Sequence, residues 1–200
     1  DEQDFQTYVC LMKNKAAAIL PHTFKHQPQR IELSPIPTTE ILFEKFIETD
    51  VIRATGNKLN YHTKTCWLET TVGVLQENNK LRAFNPSITI AEGEVLSVEE
   101  KFQGGTGINI TPPPENIVKP NILNLIKTRI EQLANKIGLE GYARIDAFMN
   151  TQTGDLIIIE INTLPGLTPS TVLYQQALAE NPKLYPRQLL EQLIGNKGYF

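Results

Sequence analysis

Residues 142–162 read YARIDAFMNTQTGDLIIIEIN, two runs rich in apolar and β-branched residues joined by a polar segment that ends on a glycine and an aspartate. The alternation along the first run and the β-branched, apolar second run predict an antiparallel hairpin with the three-residue loop Gln152-Thr153-Gly154, the glycine supplying the left-handed position that such loops need. Thr151 then faces Asp155, and counting inward sets Asp146 opposite Glu160 and Arg144 opposite Asn162. Ile145, Ala147, Met149, Ile157, Ile159 and Ile161 fall on the other face, which is the one to bury.

Opposed carboxylates repel in an ordinary sheet, so Asp146 beside Glu160 calls for a compensating positive charge. Magnesium takes oxygen ligands, keeps several waters and sits between carboxylates and substrate phosphates, which suits Asp146, Glu160 and the amide oxygen of Asn162. The same register also fits a surface network in which Arg144 neutralises both carboxylates without a metal. The segment that follows, Asn162 to Thr171, is a rigid, hydroxyl-rich loop entering a helix, where free N–H groups favour an anion. It can equally be an ordinary helix start, with Ser170 or Thr171 as N-cap and Pro169 setting the turn.

Upstream, Phe5, Val9, Met12, Ala16 and Ile19 follow helical spacing until Pro21 stops it. A loop over 28–39 leads into the apolar run 41–43 and a strand through Glu44 and Phe46. Residues 48–62 are polar, with Gly56-Asn57 as a turn signal, and read as a flexible excursion. Residues 65–75 and 81–90 form a hairpin, and a short strand covers Val95 to Phe102. A helix opens at Pro120 and closes at Gly138 with Ile122, Ile126, Ile130, Leu133 and Ile137 as its stripe; two short helices cover 171–180 and 186–194. This order predicts an α+β fold, an antiparallel sheet covered by helices.

With 19 basic and 22 acidic residues and a net charge of −3, no basic surface suited to nucleic acid or membrane emerges, and small molecules are the expected partners. Cys10 and Cys66 lack metal or disulfide spacing, which suits a reducing cytoplasm. His22, His26, His62 and Trp67 stand in no motif. No apolar run approaches membrane-spanning length, and the polar start Asp1-Glu2-Gln3-Asp4 reads as the interior of a longer polypeptide.

Arg-Ile-Asp at 144–146 and Glu-Ile-Asn-Thr-Leu-Pro-Gly-Leu-Thr-Pro-Ser-Thr at 160–171 resemble the terminal signature of the D-alanine–D-alanine ligases of the ATP-grasp superfamily. Residues 41–47 are similar to that family's adenine-binding strand and hinge, which makes Glu44, Lys45, Phe46 and Ile47 nucleotide contacts by resemblance. Glu69 in Glu69-Thr70-Thr71-Val72 resembles its ribose-binding glutamate, and Lys101 in Glu99-Glu100-Lys101-Phe102 its phosphate-contacting lysine. The resemblance implies a partial ATP-grasp fold: residues 1–40 from the first lobe, residues 41–200 the carboxy-terminal nucleotide- and metal-binding portion, and the amino-terminal substrate domain outside this chain.

By the same resemblance Asp146, Glu160 and Asn162 bind magnesium (or manganese) bridging ATP phosphates, and Arg144 and Gly166 face the reacting centre. Thr171, with Ser170 beside it, holds the second substrate's carboxylate, and Val172 lines its pocket. The implied reaction phosphorylates the carboxylate of one D-alanine; the amine of a second then attacks the acyl phosphate, for peptidoglycan precursors in the cytoplasm. Phe102 stands where the family often has an active-site tyrosine, a departure shared with relatives that use D-lactate, so the second substrate is D-alanine or a D-2-hydroxy acid. Two other readings stay open: another ATP-grasp carboxylate–amine ligase, and a non-catalytic ligase-derived nucleotide-binding module. Oligomeric state is not set by these residues; a homodimer of the full-length protein is one state the resemblance allows.

Overall fold

The structure is a computed structural model that describes residues 1–195 apart from 26, 28, 35, 37–39, 41–43, 56–57, 79, 91–107 and 169–170. The chain divides into two compact units, Asp1–Phe46 and Ile47–Phe200.

The first unit opens with α1, Glu2–Lys13, whose start is a reciprocal capping box between Asp1 and Asp4. The helix does not run on to Ile19 as its spacing suggests. Lys15 adopts φ 54°, and the bonds from Lys15 N to the Met12 carbonyl (3.1 Å) and from Ala16 N to the Leu11 carbonyl (3.0 Å) close a Schellman motif. Ala18–Ile19 is instead a short strand, β1, paired antiparallel with β2, Ile31–Glu32. Nor do Glu44 and Phe46 lie in a strand: Glu44, Lys45 and Phe46 are exposed, Phe46 by 86%, and no ladder among the described residues includes them. An extended segment without a pairing neighbour leaves its backbone groups to water, so apolar alternation alone does not make it a strand. The apolar run 41–43 lies outside the described residues.

The second unit begins with ordered structure where a flexible excursion is expected. Val51–Thr55 (β3) and Lys58–His62 (β4) form a regular antiparallel hairpin, with the Gly56-Asn57 turn signal falling between them outside the described residues. Its order comes from burial: Ile52, Leu59 and Tyr61 pack against the main core. Asp50, 7% exposed, anchors its base. Its carboxylate accepts from the amides of Lys64 (2.9 Å), Thr65 (2.6 Å) and Cys66 (3.1 Å) and from the hydroxyls of Thr65 (3.0 Å) and Tyr61 (2.7 Å). Burial pushes the Asp50 carboxyl up, but these donors together outweigh it and hold it below the ordinary carboxylate range. The stability it confers is therefore complete above the unfolded-state value of about 3.9 and is lost as pH falls through the lower folded value. Asp50→Asn is expected to cost about 2 kcal/mol in urea unfolding at neutral pH, and the difference from the parent should shrink as the medium is acidified below that value. A cost independent of pH would contradict the account.

The core of this unit is a four-stranded antiparallel sheet in the order β10-β9-β5-β6: Leu156–Asn162, Tyr142–Asn150, Trp67–Glu77 and Lys80–Ala83. The β5–β6 hairpin turns at Asn78 (φ 49°), as expected, but the second run breaks after Ala83 instead of continuing to Ile90. Pro86 has no N–H to give a ladder, and the chain resumes as β7, Ile88–Ile90, paired with β8, Ile108–Ile110. Where β6 leaves β5, a glutamine fills the gap. Gln176 is fully buried; its Oε1 accepts from Gly73 N (2.8 Å), and its Nε2 donates to the Thr71 carbonyl (2.7 Å) and to Ser87 Oγ (2.9 Å). Gly73 leaves room for it: a Cβ there would stand 2.7 Å from Gln176 Oε1 and 2.5 Å from Leu173 Cδ1. The expected strand at Val95–Phe102 and the glycine-rich run 104–107 lie outside the described residues.

The two faces of the sheet are covered differently. One carries Leu68, Val72, Val74, Ala143, Ile145 and Met149, packed with Ile126, Ile130 and Ala134 of α2, Pro120–Lys136. Pro120 starts α2, and Gly138 at φ 69° ends it with Schellman bonds. Ile137, expected on the buried stripe, is 49% exposed because it is the C-cap residue, beyond the last full turn; Ala134 takes the buried place. On the other face, Leu75 and Phe84 pack with α3, Val172–Leu178, and α4, Pro186–Gly195, through Leu173, Tyr174, Ala177 and Leu189. Further along this second face lie the polar residues of β9 and β10. No helix among the described residues is long and apolar enough to cross a membrane.

Candidate metal and nucleotide site

Arg144, Asp146 and Phe148 follow Tyr142 along one side of β9, the side that Leu75, Gly73, Thr71 and Glu69 face from β5. On the other flank, Asn162 opposes Arg144 and Glu160 opposes Asp146, as the hairpin count requires. The count is right at the site and wrong at the tip. Asn150 N bonds the Asp155 carbonyl (2.8 Å), so Asn150 and not Thr151 faces Asp155, and Met149, Phe148 and Ala147 oppose Leu156, Ile157 and Ile158. A β-bulge at Ile159 then moves the pairing by one residue before Glu160. In consequence Leu156, Ile158 and Ile161 share the core-facing side, and Ile157 sits with Phe148 on the polar side, contrary to the expected grouping of Ile157 and Ile159 with Ile161. Gly154 does adopt the left-handed conformation, at φ 69°.

At the centre, Arg144 grips Asp146 with two bonds, Nε to Oδ1 at 3.1 Å and Nη2 to Oδ2 at 2.9 Å. The same Nη2 lies 3.3 Å from Glu160 Oε1. Asp146 is 1% exposed and also accepts a bond from Thr71 Oγ1 at 2.9 Å. Arg144 thus neutralises both carboxylates, the arrangement that the sequence left open beside a metal. One guanidinium nitrogen stands where a positive charge can contact both carboxylates at once. The donor set fits a hard cation: each carboxylate keeps acceptor capacity beyond these bonds, and Asn162 Oδ1, which accepts from Leu164 N at 3.0 Å, retains a second lone pair. Among the described residues no three His, Cys, Asp or Glu side chains gather into a metal-holding group, so the amide of Asn162 would have to complete the set.

Glu69 lies on the same face of β5, half-buried and opposite Phe148. Gly166 is exposed, and among the described residues a Cβ added to it would meet Thr171 Cγ2 alone, at 3.7 Å, so no steric demand for glycine shows there. Thr171 holds the N-cap position of α3 but its side chain makes no cap bond, and its buried Oγ1 has no hydrogen-bond partner among the described residues. Val172 opens the helix. Glu44, Lys45 and Phe46 belong to the first unit and Ile47 to the second, while Lys101, Phe102 and Ser170 lie outside the described residues. Sequence reasoning missed Thr71 and Gln176, because their roles depend on the pairing of strands far apart in the chain.

Residues 63–195 match the family model described as the D-ala D-ala ligase C-terminus. The chain belongs to the D-alanine–D-alanine ligase family. That match takes in Glu69, Arg144, Asp146, Glu160, Asn162, Gly166, Thr171 and Val172, whereas residues 44–47 and the β3–β4 hairpin precede it. A D-alanine–D-alanine ligase of Vibrio cholerae serotype O1 is 31% identical over 129 residues, 64% of this chain and 38% of the relative. One from Geobacter sulfurreducens is 26% identical over 154 residues, 77% of this chain and 40% of the relative. The solved D-alanyl-alanine synthetase A of V. cholerae shares 26% identity and a TM-score of 0.49, covering 69% of this chain and 40% of that one. This ligase-family chain therefore spans about two fifths of the length of these curated relatives.

Proposed function

We propose that the protein is an ATP- and magnesium-dependent ligase joining D-alanine to a second D-alanine, or to a D-2-hydroxy acid, through an acyl phosphate, and that this chain supplies its ATP-grasp part. The observation that carries the reading is the bond of one Arg144 nitrogen to both Asp146 (2.9 Å) and Glu160 (3.3 Å), in a chain of the ligase family. Asp146, Glu160 and Asn162 would hold magnesium, manganese being able to substitute. The metal would neutralise phosphate charge and act as a Lewis acid on the transferring group. Arg144, bonded to Asp146 and Glu160, would face the charge that develops on the phosphorylated carboxylate, where a fixed donor stabilises an oxyanion. The Thr171 hydroxyl, without a hydrogen-bond partner among the described residues, supports the assignment of that residue to the second substrate's carboxylate, beside Val172. By the family resemblance Glu69 would contact the ribose, Gly166 would face the reacting centre, and Glu44, Lys45, Phe46, Ile47 and Lys101 would contact the rest of the nucleotide. Phe102 and Ser170 complete the second-substrate residues, and the setting is the cytoplasm, with small molecules as partners.

Calorimetric titration of the full-length protein with magnesium–ATP tests this. Saturable binding is expected, weakened about tenfold or more by Glu160→Gln, which keeps the side chain's shape and removes its charge. Binding of equal strength in both proteins would remove Glu160 from the site.

A further inference from the structure

Asp146 is held by a residue that is 75 positions away in sequence. Thr71 lies directly opposite it across the β5–β9 pair, and its Oγ1 donates to Asp146 Oδ1 at 2.9 Å. The oxygen that Thr71 takes is also the one that Arg144 Nε takes, at 3.1 Å. Oδ1 is therefore engaged twice, while Oδ2 accepts from Arg144 Nη2, the nitrogen shared with Glu160. A carboxylate oxygen offers about two lone-pair directions, so the spare acceptor capacity of Asp146 is left on Oδ2, the oxygen turned toward Glu160. Without the hydroxyl, the partner that restrains rotation about the bond to the carboxyl group among the described residues is an arginine that a bound cation would itself repel.

We infer that Thr71 is a positioning residue for the metal site, its hydroxyl fixing the Asp146 carboxylate so that Oδ2 is presented to the cation. This rests on the reading of Asp146 and Glu160 as magnesium ligands. Hydrogen bonds to ligating carboxylates commonly set the affinity of a metal site. Thr71 is itself well placed to hold an orientation. Its N and O pair with Ser87 at 2.9 Å each, its carbonyl also accepts from Gln176 Nε2 at 2.7 Å, and its β-branched side chain has few rotamers. The strand is thus held from the edge opposite β9, and the hydroxyl transmits that position to Asp146.

Thr71→Val removes the donor while keeping shape and strand preference, and Thr71→Ser keeps the donor. In the full-length protein, manganese binding would be followed by electron paramagnetic resonance with a saturating non-hydrolysable ATP analogue, alongside urea unfolding of each variant. Thr71→Val is expected to weaken manganese binding about tenfold to a hundredfold, with Thr71→Ser returning the parent affinity. Asp146→Ala, expected to abolish binding, separates the two levels of the argument. If Asp146→Ala loses the metal while Thr71→Val binds it as the parent does, changing only the unfolding midpoint, Thr71 is a structural partner and the inference is overturned. If manganese binding survives Asp146→Ala, the metal reading fails and takes this inference with it.

Discussion

Replacing Asp146 by alanine is expected to weaken divalent-metal binding by at least about a hundredfold and to lower stability by about 2 kcal/mol. The first effect follows from its place as proposed ligand, the second from what it leaves behind. Arg144 has a side chain only 16% exposed and is bonded to Asp146 by both Nε and Nη2. Breaking a buried pair from one side commonly costs about 3–5 kcal/mol because the surviving charge is uncompensated. Here Glu160, 53% exposed, remains as a weaker partner for the guanidinium, which places the cost below that range. Manganese binding and chemical denaturation of the same variant check both parts. A variant that loses stability yet binds metal normally would leave Asp146 as a structural anchor for Arg144 alone.

Gln176→Ala, on α3, should destabilise the second unit by about 3–4 kcal/mol. The side chain is completely buried, so its removal leaves a cavity that closes only in part. Gly73 N loses its acceptor, while the Thr71 carbonyl and Ser87 Oγ keep other partners, Ser87 N at 2.9 Å and Thr111 Oγ1 at 2.5 Å respectively. Gln176→Leu restores most of the volume and none of the bonds; it should recover the packing part and still cost about 2 kcal/mol. Urea unfolding of the three proteins separates the two contributions. A leucine variant as stable as the parent would show that the hydrogen bonds carry little and that volume is what matters.

The hairpin that carries the candidate site was legible because its signals are local: period-two alternation on the first run, an apolar β-branched second run, and a glycine at a left-handed loop position. Helix α2 was legible for the same reason, with Pro120 and Gly138 marking its ends. The first helix was overrun because Ala16 and Ile19 keep helical spacing by coincidence, and a lysine at φ 54° closes the helix where glycine is the usual sign. The polar composition of the β3–β4 hairpin reads as a flexible segment because it hides three core-facing side chains, Ile52, Leu59 and Tyr61. Asp50, whose hydrogen bonds reach residues 11 to 16 positions away, has no local signature at all. Thr71 and Gln176 needed the strand order itself, which joins β5 to β9 across 64 intervening residues from Asn78 to Gly141 and is set by tertiary packing.

The bulge at Ile159 gives the hairpin a spare link. Between Asn150 and Asp146 the chain on one arm spends one residue fewer than the chain on the other between Asp155 and Glu160, and the unpaired isoleucine absorbs the difference. Shortening the isoleucine triplet by one would let the ladder run straight from the tip and still bring the glutamate opposite Asp146. The separation of the acidic residues along the chain is therefore free to vary by one, while their meeting across the sheet is not, and spacing along the sequence is a poorer guide to such a site than the pairing it must end in.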